Sequence, residues 1–407
     1  MQETVKRAAV RSGARSSSHV RVLFVHPSDE LYGSDVVLLS LLAGLDRSRF
    51  TPYVVLANDL PYQGLLSAEL EKLGIATFHM PLAVARRKYL TPTGLPQFYA
   101  RQIQAQRMVA EFIQSHDIDV VYSNTLAVWT GAQAARATGR PHIWHVHEIV
   151  EHPKALRWYL QRMAAQYSER VVCVSQAAFD GLLVSERARR KGVVLQNGLD
   201  PRPFAVTTGR DRVRDELGCA ADDIVIGFVG RISDFKAPDL LAQAAERVIR
   251  ARPQARFFLA GDSVVGQHDM WDRVSAMIAS GPHGERIHML GYRKDVADLD
   301  AAMDILAVTS RGLETCSLVS VQAMFAGKPV IATDVGAMRE TVDDGVTGYI
   351  VPAGDTQALA QALIRLVDDV SLRKSMGKKG YQRAMSMFTL DHQIEGFHAI
   401  LNEVVRT

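Results

Sequence analysis

The stretch D-I-V-I-G-F-V-G-R-I-S-D-F-K-A-P-D-L-L, residues 223–241, decides the fold. Its first eight residues form a nearly unbroken apolar run ending in Gly230. A polar loop follows, and Pro238 opens a segment with helical spacing. A strand that ends in Gly and leads into a helix with Pro at its start is one strand–helix unit. A continuous apolar run suits a strand covered on both faces, as in a parallel sheet. The unit recurs downstream in A-R-F-F-L-A-G (255–261), R-I-H-M-L-G (286–291), M-D-I-L-A-V-T-S (303–310), P-V-I-A-T-D (329–334) and T-G-Y-I-V-P (347–352). Upstream it recurs in V-R-V-L-F-V (20–25), Y-V-V-L-A (53–57), I-A-T-F-H (75–79), D-V-V-Y-S-N (119–124), H-I-W-H-V-H (142–147) and R-V-V-C-V-S (170–175). Between the two series, L-D-P-R-P-F (199–204) and a polar run to Asp222 break the pattern. The reading is an α/β chain of two tandem, doubly wound, parallel-sheet (Rossmann-like) domains, 20–200 and 223–388, joined by a linker at 201–222. In such sheets ligands bind beyond the carboxyl ends of the strands, so two of them facing each other enclose an interdomain cleft.

A length of 407 residues suits two domains, each with its own core, and 47% hydrophobic with 22% charged residues is a globular composition. No run of about 18 apolar residues occurs, so no membrane-spanning helix is expected. Residues 1–19 are basic and Ser-rich without an apolar centre, which reads as a disordered arm and not a signal peptide. Cys173, Cys219 and Cys316 are odd in number and scattered, as free thiols in a reducing cytoplasm would be. Residues 1–200 carry 23 Lys and Arg against 17 Asp and Glu, and the remainder is net acidic. The clusters at Arg86 to Tyr89 and Arg187 to Lys191 read either as solvated surface or as a face that rests on anionic lipid. No basic stripe interleaved with aromatics points to nucleic acid.

Four constellations carry chemistry. Arg231 and Lys236 flank the turn after Gly230 and the start of a helix, where free N–H groups and the dipole favour anions. A diphosphate fits there, with Arg231 as a bidentate partner and Lys236 as a point charge, although solvated charges have the same look. In R-G-L-E-T-C-S-L-V-S-V-Q-A-M-F-A-G-K-P (311–329) Glu314 stands in a loop just before a short helix that Gly327 and Pro329 end. Gln322 lies on the side of that helix shared with Leu318, and a satisfied amide is its ordinary role. In H-I-W-H-V-H-E (142–148) strand alternation puts His145 and His147 on one face and His142 on the other, so the three do not converge and no metal site is expected. His147 closes the strand toward the cleft. A loop with Gly33, in E-L-Y-G-S-D, follows the first strand and lets a ligand approach the backbone.

Taken in order, Y-G-S-D, V-H-E, V-V-C-V-S, Q-N-G-L-D (196–200), V-G-R-I-S-D-F-K, L-A-G-D (259–262) and the block from Ser310 to Pro352 resemble the family 4 retaining glycosyltransferases of GT-B architecture. The resemblance implies a nucleotide-sugar donor on the C-terminal domain, an acceptor on the N-terminal one, and no metal or other cofactor. It implies that Arg231 and Lys236 hold the donor diphosphate, with Gly230 at their turn and Gly33 opposite. It assigns Glu314, Thr315, Cys316, Ser317, Leu318 and Val319 to donor sugar and phosphate, and His147 to the sugar near the reaction centre. It also implies that the last helix, within 389–407, returns to the N-terminal domain. Three positions depart from the family pattern: Gln322 replaces a Glu that binds ribose, Ser317 a Gly, and Tyr32 the first Gly of a pair. A Gln keeps one acceptor and adds a donor, so the expected cost is charge assistance, about 1–2 kcal/mol, and not turnover. The expected function is hexosyl transfer to a lipid-linked or glycan acceptor in cell-surface polysaccharide assembly, in the cytoplasm and peripherally at the inner membrane face. The competing readings are transfer to a soluble acceptor and a silent homologue that only binds nucleotide-sugar.

Overall fold

A computed structural model describes residues 19–406 apart from 87, 88, 90, 92, 206, 207 and 264–267. All of the expected basic arm but its last residue therefore lies outside the described residues, as do Arg87 and Lys88 of the first basic cluster. The N-terminal sheet holds β1 (Val20–His26), β2 (Phe50–Ala57), β3 (Ala76–Met80), β4 (Val120–Asn124), β5 (His142–Val146), β6 (Arg170–Cys173) and β7 (Gly192–Val194). Its helices are α1 (Gly33–Ala43), α2 (Leu65–Lys72), α3 (Gly94–Ser115), α4 (Thr130–Thr138), α5 (Lys154–Tyr167), α6 (Gln176–Leu182) and α7 (Glu186–Arg189). After α8 (Arg210–Glu216) the second sheet holds β8 (Ile224–Val229), β9 (Ala255–Ala260), β10 (Ile287–Gly291), β11 (Ile305–Val308), β12 (Val330–Thr333) and β13 (Gly348–Val351). With it run α9 (Pro238–Ala251), α10 (Asp269–Ser280), α11 (Val296–Ala302), α12 (Leu318–Phe325), α13 (Met338–Thr341), α14 (Thr356–Asp368) and α15 (Val370–Met387), after which comes α16 (Leu390–Arg406).

The strand orders are β3-β2-β1-β4-β5-β6-β7 and β10-β9-β8-β11-β12-β13, and every pairing in them is parallel. Two Rossmann-like sheets are thus present, as the apolar runs require: Val22, Leu23, Phe24 and Val25 have no exposed surface, because helices cover both faces of β1. The order reverses between β1 and β4 and between β8 and β11, so each sheet opens a crevice at its centre. Strand β7 was not foreseen; its three residues are half-buried at the sheet edge and too short for a periodic signal.

Residues 201–222, read as a linker, need correction. They contain α8, whose Val213 and Leu217 are buried among Val225, Phe258, Leu299 and Met303. Arg214 holds it there, donating to the carbonyls of Ala302 (3.2 Å) and Asp223 (2.6 Å). The charged R-D-R-V-R-D-E hides this, since only one side of so short a helix is apolar. Helix α16 packs on the N-terminal sheet: Phe397 meets Phe24 and Tyr122, and Ile400, Leu401 and Val404 complete that core. The chain therefore crosses between domains twice, and the crossings lie side by side. Leu199 N–H donates to Phe388 O and Leu390 N–H to Leu199 O, both at 2.9 Å. Gly198 N–H donates to the buried Gln393 Oε1 at 2.9 Å. Among the described residues no helix is long and apolar enough to cross a membrane.

Candidate functional site

The two crevices face each other. On the C-terminal side, the loops after β8 and β11 are laced together. Arg311 and Gly312 donate their N–H groups to Phe235 O at 2.9 and 3.3 Å. Thr309 at the end of β11 bonds the carbonyls of Lys236 (3.1 Å) and Ala237 (2.9 Å). That clamp holds Ala237 in the left-handed conformation (φ 50°) that turns the chain into α9 at Pro238. Lys236 Nζ consequently reaches Glu314 Oε1 at 2.6 Å, and Ser310 Oγ donates to the same oxygen. Glu314 is 5% exposed, so its charge is supported almost wholly by these two donors. The peptide after Gly336 (φ 55°) lies directly on the Glu314 backbone, Ala337 N–H donating to Glu314 O at 2.6 Å.

Arg231 is exposed, and among the described residues no carboxylate pairs with it; its guanidinium stands 5.7 Å from the ring centre of Tyr32, across the cleft. Gly230 (φ 156°) passes so close to Gly261 that a side chain on the latter would collide with the Gly230 carbonyl. Thr315, Cys316, Ser317, Leu318 and Val319 form the loop and first turn of α12, with Gln322 half-buried one turn further on. Ser317 Oγ accepts from Ser320 Oγ at 2.8 Å, which keeps the hydroxyl inside the helix end. Burial pushes the Cys316 thiol up to about 12, with Asn197 as its hydrogen-bond partner, so it remains a thiol. Leu318 packs against the N-terminal core, so α12 touches both domains.

On the N-terminal side, His147 Nε2 meets Asn124 Oδ1 at 2.8 Å, and Asn124 Nδ2 meets His26 Nδ1 at 3.0 Å. His26 Nε2 bonds Asp35, which also takes Ser28 Oγ and the Tyr32 N–H (2.8 Å). His26, Asn124 and Asp35 are fully or almost fully buried. Burial, with His145 and His26 nearby, holds the His147 imidazole well below its ordinary range and hence neutral. Gly33 opens α1 with no atom within 4 Å of a would-be β-carbon. His142 is a core histidine bonded to Ser168 and Ser123, both at 2.9 Å, while His145 lies against Tyr122. Next to His147, burial raises the Glu148 carboxyl to about 7, against the pull of bonds from the N–H groups of Leu126 and His147. It ties the loops after β4 and β5 together.

The structure brings Lys236 to Glu314 and sets Arg231 and His147 at opposing crevices; the sequence reading named all four without pairing Lys236 with Glu314. It missed His26, Asp35, Asn124 and Glu148. Asp35, three residues after the loop's Tyr32 in a first helical turn, was the legible one; Asn124 carries no signal of its own. A last contact closes the cleft: Glu340 of α13 accepts from the N–H groups of Gln176 and Ala177, both at 2.7 Å, at the start of α6 in the other domain.

Comparison with known proteins follows the same division. Residues 32–202 match the model described as Glycosyltransferase Family 4, and residues 223–369 the one described as Glycosyl transferases group 1. The D-inositol 3-phosphate glycosyltransferase of Kineococcus radiotolerans is 35% identical over 209 residues, 48% of this chain and 48% of that protein. The lipopolysaccharide core biosynthesis mannosyltransferase LpsB of Rhizobium meliloti is 26% identical over 52% of this chain and 61% of that one. The chain spans about half the length of the curated relatives it matches. In structure it is similar to Anabaena HepE, solved in complex with UDP: 25% identity, TM-score 0.79, 94% of this chain and 100% of that chain.

Proposed function

Because this chain belongs to the family 4 glycosyltransferases of GT-B fold, we propose that it moves a hexosyl unit, with retained configuration, from a nucleotide-diphosphate sugar to a lipid-linked or glycan acceptor. The observation that carries the reading is the meeting of Arg231, Lys236 and Glu314 with the neutral His147 at two facing switch points. A diphosphate lying between Arg231 and Lys236 would gain its positive surroundings from side chains and helix ends already in place. In a front-face transfer the acceptor oxygen bonds the anomeric carbon from the side on which the diphosphate leaves. The acceptor's proton passes to the departing phosphate oxygen. No carboxylate nucleophile or metal is called for in this scheme; Lys236 and Arg231 take the charge that develops on the leaving group. Uridine diphosphate-glucose is the first donor to test, since HepE was also solved with UDP-glucose.

A lipid-linked acceptor is supported by the outer surface of the N-terminal domain. Helices α3 and α5 begin at the cleft end of the sheet and expose Leu95, Tyr99, Ile103, Trp158 and Tyr159. The same helices hold Arg101, Arg107, Lys154, Arg157 and Arg162 against the single acid Glu111. Aromatic residues among cations suit the headgroup layer of an anionic bilayer. Vesicles containing phosphatidylglycerol are expected to sediment the protein where phosphatidylcholine vesicles do not, and a Tyr99→Ser/Trp158→Ser variant to bind about ten-fold more weakly. Equal binding to both vesicle types would favour a soluble acceptor.

The decisive experiment is a panel of UDP-, GDP-, ADP- and dTDP-sugars scored by thermal shift and by slow hydrolysis. One donor should stabilise the protein and be hydrolysed. Gln322→Glu should tighten that donor by about ten-fold, the contrast between a charged and a neutral hydrogen bond, and leave kcat nearly unchanged. A donor that binds but is turned over only after Gln322→Glu would make the natural protein a silent homologue.

A further inference from the structure

The buried row Asp35, His26, Asn124, His147 has a direction, and one backbone oxygen sets it. Asn124 Nδ2 lies 3.2 Å from Ser34 O, a carbonyl that only accepts, so the amide must point its nitrogen that way. The same nitrogen then donates to His26 Nδ1, which must be bare, and His26 carries its proton on Nε2 toward Asp35. At the other end Asn124 Oδ1 accepts, so His147 carries its proton on Nε2. Nothing among the described residues bonds His147 Nδ1. Each link is therefore fixed by its neighbour, starting from the opening of α1. Of these groups only His147 stands at the edge of the cleft; the other three side chains are shut off from it by burial.

We propose that Asp35, His26 and Asn124 are positioning residues that hold His147 as the Nε2–H tautomer, so that Nδ1 meets the donor sugar as a hydrogen-bond acceptor for one of its hydroxyls. The sugar contact rests on the transferase reading above; the tautomer does not. The role differs from that of an acid or base, since no proton leaves the imidazole during transfer. It also explains why Y-G-S-D and the end of β4, which supply Asp35 and Asn124, belong to the same site although neither side chain touches the cleft.

Two readouts test it. In protein labelled with nitrogen-15 at histidine, with His147→Gln for assignment, the long-range proton–nitrogen spectrum should show Nε2–H and a bare Nδ1 for His147 at neutral pH. An Nδ1–H tautomer or an imidazolium in the unmodified protein overturns the proposal, with no variant needed. Asn124→Leu should give mixed His147 tautomers, and Asn124→Asp, which still accepts from Nε2, should restore a single one. The second readout is the affinity gained by UDP-glucose over UDP. Asn124→Leu should lower that gain about five-fold, with UDP binding unchanged, because one neutral hydrogen bond to the sugar is lost; transfer should fall about 10²-fold through misplacement of the sugar. An unchanged gain in a variant with mixed tautomers sinks the sugar contact. If the unmodified protein binds neither UDP nor UDP-glucose, the choice of donor fails, and the spectrum alone still decides the tautomer.

Discussion

Lys236→Ala is expected to lose both turnover and stability, and a second substitution should separate the two losses. Glu314 is buried and its Oε1 rests on Lys236 Nζ at 2.6 Å with Ser310 beside it. Removing the cation strands a carboxylate away from water, at a cost of about 3 kcal/mol, the low end for a broken buried pair because Lys236 keeps some contact with solvent. Replacing Glu314 by Gln in the same chain removes the stranded charge, and denaturant unfolding should then return to within about 1 kcal/mol of the parent. Turnover should not return. A cation that meets the departing diphosphate is worth about 10²–10³ in kcat, and the double variant still lacks it. If Lys236→Ala alone keeps more than about a tenth of the parent's kcat, the leaving-group role assigned to Lys236 is wrong.

Gly336→Ala tests how the same carboxylate is held from below. A β-carbon at 336 would collide with the Glu314 carbonyl oxygen and stand 2.7 Å from its nitrogen. The residue also has φ 55°, where an L side chain is strained. Overpacking against backbone and the left-handed conformation together should cost about 2–4 kcal/mol. Gly345→Ala is the control: its φ is 76° with nothing within 4 Å, so it should lose only about 1 kcal/mol. Thermal unfolding of the two variants isolates the collision, and donor binding should fail in the first alone. Equal losses would show that the Glu314 loop yields easily and is not held by the turn at 336.

What the sequence made legible followed from local chemistry. Apolar runs located twelve of the thirteen described strands within a few residues, because burial on both faces leaves a continuous signal. Gly230, Pro238, Gly327 and Pro329 marked the ends of the elements that carry Arg231, Lys236 and Glu314. The pairing of Lys236 with Glu314, 78 positions apart, was not legible, since the loops that bring them together are laced by backbone hydrogen bonds. The helix α8 was concealed by its charged face. Asn124 is the clearest case: it ends a strand read as V-V-Y-S-N, and only the sheet order β1-β4 puts it beside His26. Its importance is a property of topology, which a linear reading does not contain.

The return of α16 also bears on how such a protein is divided. Phe397, Leu401 and Val404 fill the N-terminal core although they are encoded after the whole C-terminal domain. That core is therefore built from two stretches of sequence, while the C-terminal domain is one uninterrupted insert between them. A fragment ending near residue 200 would leave Phe24 and Tyr122 without their partner. An exchange of C-terminal domains between two related proteins has its natural seams at the paired crossings, near 199 and 389, where Leu199 and Leu390 already lie side by side. Cut there, the recipient keeps its own closing helix, and whatever the C-terminal domain recognises travels as a cassette.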